Sequence, residues 1–199
     1  MTKAIHQKSK KVRENRIQID ALSCGTGWYE RDLSQLQILI EDAHGSSHPG
    51  SIHLDDLSEE ASIGVFQEGG RPANFHGTDI CDGWAMLHDG MNYILPSREV
   101  LCDLVEVHGR VIPWDGVVVV SSCDKSIPAH LMAVSRLNFP AIHIPGGSNR
   151  IGPNMSHSVL VGETATKMRQ HEDCLLYTSP SPRDQLQHLV CRLLLEKRG

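Results

Sequence analysis

VVVVSSCDKSIPAHL, from Val117 to Leu131, decides the fold of this chain. Four consecutive valines read as a strand buried on both faces, because β-branched side chains suit a pleat covered above and below. Ser121, Ser122, Cys123, Asp124 and Lys125 end that strand, and Pro128 falls where a following helix is expected to take its first turn. A thiol, a carboxylate and an amine in succession are unusual chemistry for a plain connection. At the carboxyl end of a strand in an open α/β sheet, they stand where such folds carry their sites.

Working outward, the helix is expected to run to about Leu137, and Pro140 to Pro145 reads as the next strand. Strand, helix and strand in this order make a right-handed parallel crossover. Upstream, Trp114-Asp115-Gly116 turns into the valine strand. Before it, Val100, Leu101, Leu104, Val105 and Val107 cover more than one helical face, which predicts a well-buried helix. Ser97 reads as its cap, with Glu99 in the first turn. GWAMLHDGMNYILP precedes this as a loop, and Phe75 to Cys81 reads as a second strand ending at Asp82-Gly83. Leu54, Leu57, Ala61 and Val65 recur at helical spacing between about Ile52 and Glu68, where Gly69-Gly70 stops the run. Gln37 to Glu41 is a short strand, followed by the loop His44 to Ser51. The expected class is α/β, a parallel or mostly parallel sheet flanked by helices.

The chain has 199 residues, 40% hydrophobic and 22% charged, which suits one globular domain with little to spare for a second. A net charge of −5 without a basic run argues against nucleic acid as partner. No apolar run approaches the roughly 20 residues of a membrane span, and the first residues lack a signal-peptide core. Six cysteines in no regular framework point to reduced thiols and a cytoplasmic location. Residues 1–23 read as a polar arm. Cys174 to Lys197 reads as a translated sequencing adapter: Cys174 to Asp184 back-translates to a transposon-end adapter and Leu189 to Leu195 to the outer adapter, in one frame. Residues 174–199 are therefore expected to be foreign and residues 24–173 a truncated domain, with Cys24, Cys81, Cys102 and Cys123 as its thiols.

ICDGWAMLHDGMNYILPSRE, SSCDKSIPAHLMAVSRLNFPAI and PGGSNRIGPN, with GTGW and HPGSIHLDDL upstream, together resemble the dihydroxy-acid and sugar-acid dehydratase family. The similarity runs from about Cys24 to Asp173. It implies the N-terminal domain of a hydro-lyase, the C-terminal domain missing, that removes water from a 2,3-dihydroxy acid to give a 2-keto acid. The expected activity is most like dihydroxy-acid dehydratase of branched-chain amino-acid biosynthesis, with an aldonate or phosphogluconate dehydratase as the alternative. By the same resemblance Cys123 binds an iron–sulfur cluster, and Asp82, Asp124 and carbamylated Lys125 hold magnesium, Asp124 and Lys125 being catalytic. A carbamate is an oxygen donor, as magnesium prefers, where an ammonium is none. Members with a two-iron cluster carry a cysteine where this chain has Gly50, so a four-iron cluster is favoured. Cys81 is a further candidate cluster ligand. The remaining ligands and the catalytic base fall beyond Asp173, so the fragment alone is expected to be inactive and the full-length protein a homodimer.

Each residue also has a bland reading. Cys123 alone would be an ordinary buried thiol, and Lys125 with Asp124 a solvated ion pair. Asp82 before Gly83 would be turn chemistry, and Cys81 packing. His44, His48 and His53 have metal-like spacing, but their loop fits a substrate entrance better than a zinc site. Gly146-Gly147 lacks a full phosphate-binding fingerprint. Two other classes stay open: a cysteine-nucleophile hydrolase with Cys123 activated by His130, and a nucleotide-binding module built on the turns at Gly83 and Gly146-Gly147.

Overall fold

The computed structural model describes residues 8–149, residue 87 excepted. The expected domain end at Asp173 and the adapter-like tail from Cys174 lie outside the described residues. Two short helices, α1 (Lys8–Arg13) and α2 (Gln18–Gly25), precede β1 (Leu36–Asp42). Then follow α3 (Leu54–Gln67), β2 (Gly70–His76), α4 (Asp82–Ala85), α5 (Ile94–Val111), β3 (Gly116–Ser121), α6 (Cys123–Leu137) and β4 (Ala141–Pro145). The four strands form one parallel sheet in the order β2-β1-β3-β4. Parallel sheets need helical crossovers and are covered on both faces, which the alternation of strands and helices provides. Every residue of β3 is buried, as the valine run requires.

Strand alternation assigns the helices to faces. Asp42 accepts a hydrogen bond from Ser58 of α3 at 2.6 Å, and Asn74 of β2 accepts one from Ser62 at 2.9 Å. Glu41 points to the opposite face and meets His108 of α5 at 2.9 Å. On that face Leu39, Val117, Val119 and Trp114 form a core cluster against which Val134 of α6 packs. Asp115 ties the arm to this body: its carboxylate accepts the Ser9 N–H at 2.9 Å, the Ser9 hydroxyl at 2.6 Å and the Gln37 N–H at 2.8 Å. Residues of the expected polar arm are thus docked by a turn acid. Gly69, in the left-handed region at φ 76, ends α3, and Asn138, at φ 53, ends α6.

Four expectations need correction. The second strand starts at Gly70 and has ended by His76, because residues 70–76 pair in register with β1 while 77–81 leave the sheet. Ser97 is not a cap: α5 begins three residues earlier, continuing a 3₁₀ turn over Asp89–Tyr93, and the Ser97 hydroxyl bonds back to the Ile94 carbonyl at 2.6 Å. No acid lies in its first turn. Nor is α5 well buried. Leu101 and Val105 are in the core, but Val100, Leu104 and Val107 are exposed, since only one stripe of the helix reaches the sheet and α6. Pro128 lies in the second turn of α6, whose first turn is spent on Cys123 to Ser126. Among the described residues no helix is long and apolar enough to cross a membrane.

Candidate functional site

The chain leaves β1 for β2 on one side and returns past it to β3 on the other. Between β1 and β3 the strand order therefore reverses, and open α/β sheets carry their sites outside the carboxyl ends of the strands at such a reversal. Three loops meet there. The loop after β1 carries His48 and Gly50, the loop after β2 carries Asp79, Cys81 and Asp82, and β3 runs directly into Cys123, Asp124 and Lys125. Hydrogen bonds fix them together. The Ser122 hydroxyl donates to the Gly50 carbonyl, and the Ser126 hydroxyl donates to Asp79 at 2.8 Å. The Trp84 indole N–H donates to the Ser47 carbonyl at 2.9 Å.

Lys125 is the centre of one cluster. Its side chain is only 5% exposed, and its ammonium contacts Asp82 Oδ2 and both oxygens of Asp124, the latter at 2.9 Å. Burial alone would push the lysine downward, but the two carboxylates outweigh it and raise its pKa. Burial likewise pulls Asp124 upward, and the lysine more than offsets this, holding that carboxyl below its ordinary range. The other oxygen of Asp82, Oδ1, is buried and unpartnered. Two carboxylates around one positive charge, with a spare buried acceptor, is a donor set that suits a hard dication. The three residues expected to share a metal are together.

Cys123 is the centre of a second cluster. It occupies the left-handed region at φ 69, a conformation that costs a non-glycine residue energy and turns strand sharply into helix. Its Sγ, a His48 nitrogen and an Asp79 oxygen all lie within 4.8 Å of one another. Burial, together with the charges of Asp124 and Asp79, pushes the Cys123 thiol up to about 12. It is therefore protonated at neutral pH and no ready nucleophile, which counts against the hydrolase reading. Burial also raises Asp79, although Ser126 and His48 pull the other way.

Cys81 is not among the atoms gathered around Cys123; it lines a groove with Gly83 and Trp84. His130, the other partner considered for Cys123, is fully buried with both ring nitrogens unpartnered, and burial lowers it to about 4. Its charge neighbours are His143 and Asp42. A Cβ at Gly50, as the two-iron pattern would place there, would come within 2.7 Å of Asn149 Oδ1 and 2.9 Å of the His48 ring, so both side chains would have to shift to admit it. Reading the sequence missed Asp79 and the approach of His48 to Cys123. Neither stands in a spacing that marks it, and 75 residues separate His48 from Cys123.

Known proteins are similar to this chain in sequence. Residues 35–180 match the family model described as dihydroxy-acid/6-phosphogluconate dehydratase N-terminal. The chain is 46% identical over 121 residues to the dihydroxy-acid dehydratase of Pyrococcus furiosus, covering 61% of this chain and 22% of that protein. It is 40% identical over 147 residues to dihydroxy-acid dehydratase 1 of Methanosarcina acetivorans, covering 74% of this chain and 26% of that protein. For the dihydroxy-acid dehydratase of Moorella thermoacetica the identity is 44% over 121 residues, or 61% and 22% of the two chains. The match thus spans about a quarter of the length of these relatives. With a model match over most of its length, the chain belongs to the dihydroxy-acid/6-phosphogluconate dehydratase N-terminal family.

Proposed function

We propose that this chain carries the cation and cluster end of a hydro-lyase that dehydrates a 2,3-dihydroxy carboxylic acid to a 2-keto acid. The favoured substrate class is that of dihydroxy-acid dehydratase in branched-chain amino-acid biosynthesis, with sugar acids as the alternative. The observation that carries the reading is the meeting of Asp82, Asp124 and Lys125 beside Cys123 at the strand ends.

The residues fit the groups this reading calls for. Asp82 and Asp124 would hold magnesium with Lys125 as a carbamate, and Cys123 would supply one thiolate to an iron–sulfur cluster. When bound, these groups supply Lewis acidity, polarising the substrate carboxylate and easing departure of hydroxide. In their absence the Lys125 ammonium serves as countercharge to the two acids. As a carbamate, Lys125 would have given up two protons from its ammonium and bonded its nitrogen to the carbon of carbon dioxide, replacing a positive charge by two oxygen donors beside Asp82 and Asp124. The strained turn at Cys123 leaves its sulfur beside His48 and Asp79, and the ties from Ser122 and Ser126 keep the loops from drifting apart. One cysteine in that group is too few to hold a cluster securely, so the chain alone should turn over no substrate. A cytoplasmic homodimer is the expected state of the whole protein.

The test is a chimaera in which residues 35–149 replace the matching segment of the Pyrococcus furiosus enzyme. Anaerobic reconstitution with iron, sulfide and magnesium should restore 2-keto acid formation, and Lys125→Ala should abolish it. Turnover surviving Lys125→Ala, or a folded chimaera that binds iron yet stays inert, would overturn the reading.

A further inference from the structure

We propose that His48 donates a hydrogen bond to the sulfur of Cys123 when that sulfur binds metal, and so acts as a positioning residue that sets how firmly the sulfur holds it. This rests on the function proposed above and adds a residue to its cluster end. His48 is 1% exposed. Its Nδ1 accepts the Gly50 N–H at 2.9 Å, so the proton of the neutral ring sits on Nε2. That Nε2–H is buried and has no hydrogen-bond partner among the described residues. Asp79 Oδ2, at 3.7 Å, is too far to accept it. The Asp79 carboxylate is in any case served by the Ser126 hydroxyl and the Ile80 N–H, each at 2.8 Å. A buried donor without an acceptor is costly, and it marks a place where an acceptor is to be expected.

Cys123 is the neighbour that can become one. Without metal its thiol donates to Asp124 Oδ1 at 3.3 Å. Binding a metal forms a sulfur–metal bond and sends the thiol proton to solvent, so the sulfur turns from donor into an anion that only accepts. The backbone N–H of Asp124 favours that anion, while the carboxylates of Asp124 and Asp79 oppose it. His48 belongs to the same group of atoms within 4.8 Å, and its Nε2–H supplies a second donor without adding charge. Direct ligation suits the ring less, because Nε2 would have to lose its proton while Nδ1 still accepts, leaving an imidazolate. Gly50 places the ring. Its N–H holds Nδ1, its carbonyl accepts the Ser122 hydroxyl, and it lacks the Cβ that the ring would meet at 2.9 Å. Ser122 directly precedes Cys123, so one glycine ties the imidazole to the strand end that carries the sulfur.

The test uses this chain, its histidines labelled with heavy nitrogen, and cadmium ion as probe, a soft diamagnetic metal with its own NMR signal. The His48 resonances are identified by their absence in His48→Gln, and the cadmium signal at Cys123 by its loss in Cys123→Ser. Cadmium should move the His48 Nε2–H resonance downfield with the proton retained, and Cys123→Ser should abolish the movement. His48→Gln, which keeps an N–H donor, should hold cadmium nearly as tightly as the unsubstituted chain. His48→Phe, which fills the space without a donor, should hold it about tenfold less tightly. If His48→Phe fails to fold, the Nε2–H resonance of the unsubstituted chain decides. An Nε2–H unmoved by cadmium at Cys123, loss of that proton with direct nitrogen–cadmium coupling, or undiminished affinity in His48→Phe would overturn the donor and leave the cluster reading standing. If Cys123→Ser removes no cadmium signal, the sulfur end of the proposed function falls together with the donor.

Discussion

Glu41 and Asp42 end β1, while Asp82 and Asp124 lie just beyond β2 and β3, so two pairs of acids share the carboxyl side of one sheet. The first pair is fully buried and answered by imidazoles and a hydroxyl. Glu41 faces His108, and Asp42 faces His76 at 2.9 Å and Ser58 at 2.6 Å. In the second pair Asp82 is half-buried and Asp124 exposed, and both are answered by a full positive charge on Lys125. Burial, with the Asp42 charge adding to it, raises Glu41 to about 8, and burial lowers His108, so at neutral pH that pair shares one proton and carries little net charge. Around Lys125 the charges are kept. A buried acid that can become neutral belongs to the scaffold; Asp124, held below its ordinary range beside Lys125, is an acid of the kind that the proposed function assigns to a metal.

Lys125→Ala should break this contrast most severely. It leaves Asp82 without its countercharge and should cost about 2 kcal/mol, a figure below the usual range for a fully buried pair because Asp124 is largely exposed. Urea unfolding should show magnesium restoring part of that loss. Restoration by magnesium chloride no better than by equal ionic strength of sodium chloride would deny the cation site.

Glu41 should dominate the alkaline limb of stability. Its folded pKa of about 8 lies above the ordinary 4.5, so the folded protein keeps a proton that the unfolded chain gives up. Its contribution is therefore fully present below about pH 4.5 and is lost as pH rises through 8. The loss should amount to at most about 5 kcal/mol across that window. Glu41→Gln should flatten the curve measured by urea unfolding at a series of pH values. An unchanged slope would mean that Glu41 is ionised in the folded protein.

Smaller effects sharpen the comparison. Ser58→Ala removes one donor from the buried Asp42 and should cost about 1–2 kcal/mol in thermal or urea unfolding. Asp124→Asn should move stability least, by about 0–1 kcal/mol, because that side chain is 65% exposed and its ion pair is screened. The same change should nevertheless weaken magnesium binding, seen by calorimetry. A large stability loss with intact magnesium affinity would make Asp124 a scaffold acid after all.

Much of the site was legible in one dimension because its chemistry sits next to an element end. Cys123, Asp124 and Lys125 follow the valine strand directly, and Asp82 sits in a motif with its own local signature. Boundaries set by competition were less legible. Ser97 is a good cap by type, but Ile94 finds a place in the core three residues earlier, and the helix starts there. Likewise, the apolar residues of α5 could not reveal which of them would find a neighbour.

The sequence by itself determined the alternation of strands and helices, the buried valine strand and the identity of the strand-end residues. These are local properties, written in runs and periods of side chains. Only the tertiary structure decided the order β2-β1-β3-β4, and with it the meeting of Lys125 with Asp82 and of Cys123 with His48 and Asp79. Parallel strands pair across connections of a dozen or more residues, so no short-range pattern records which loop will face which. The reversal at β1 brings the three loops to one place, and there a thiol, two acids and a lysine become a site.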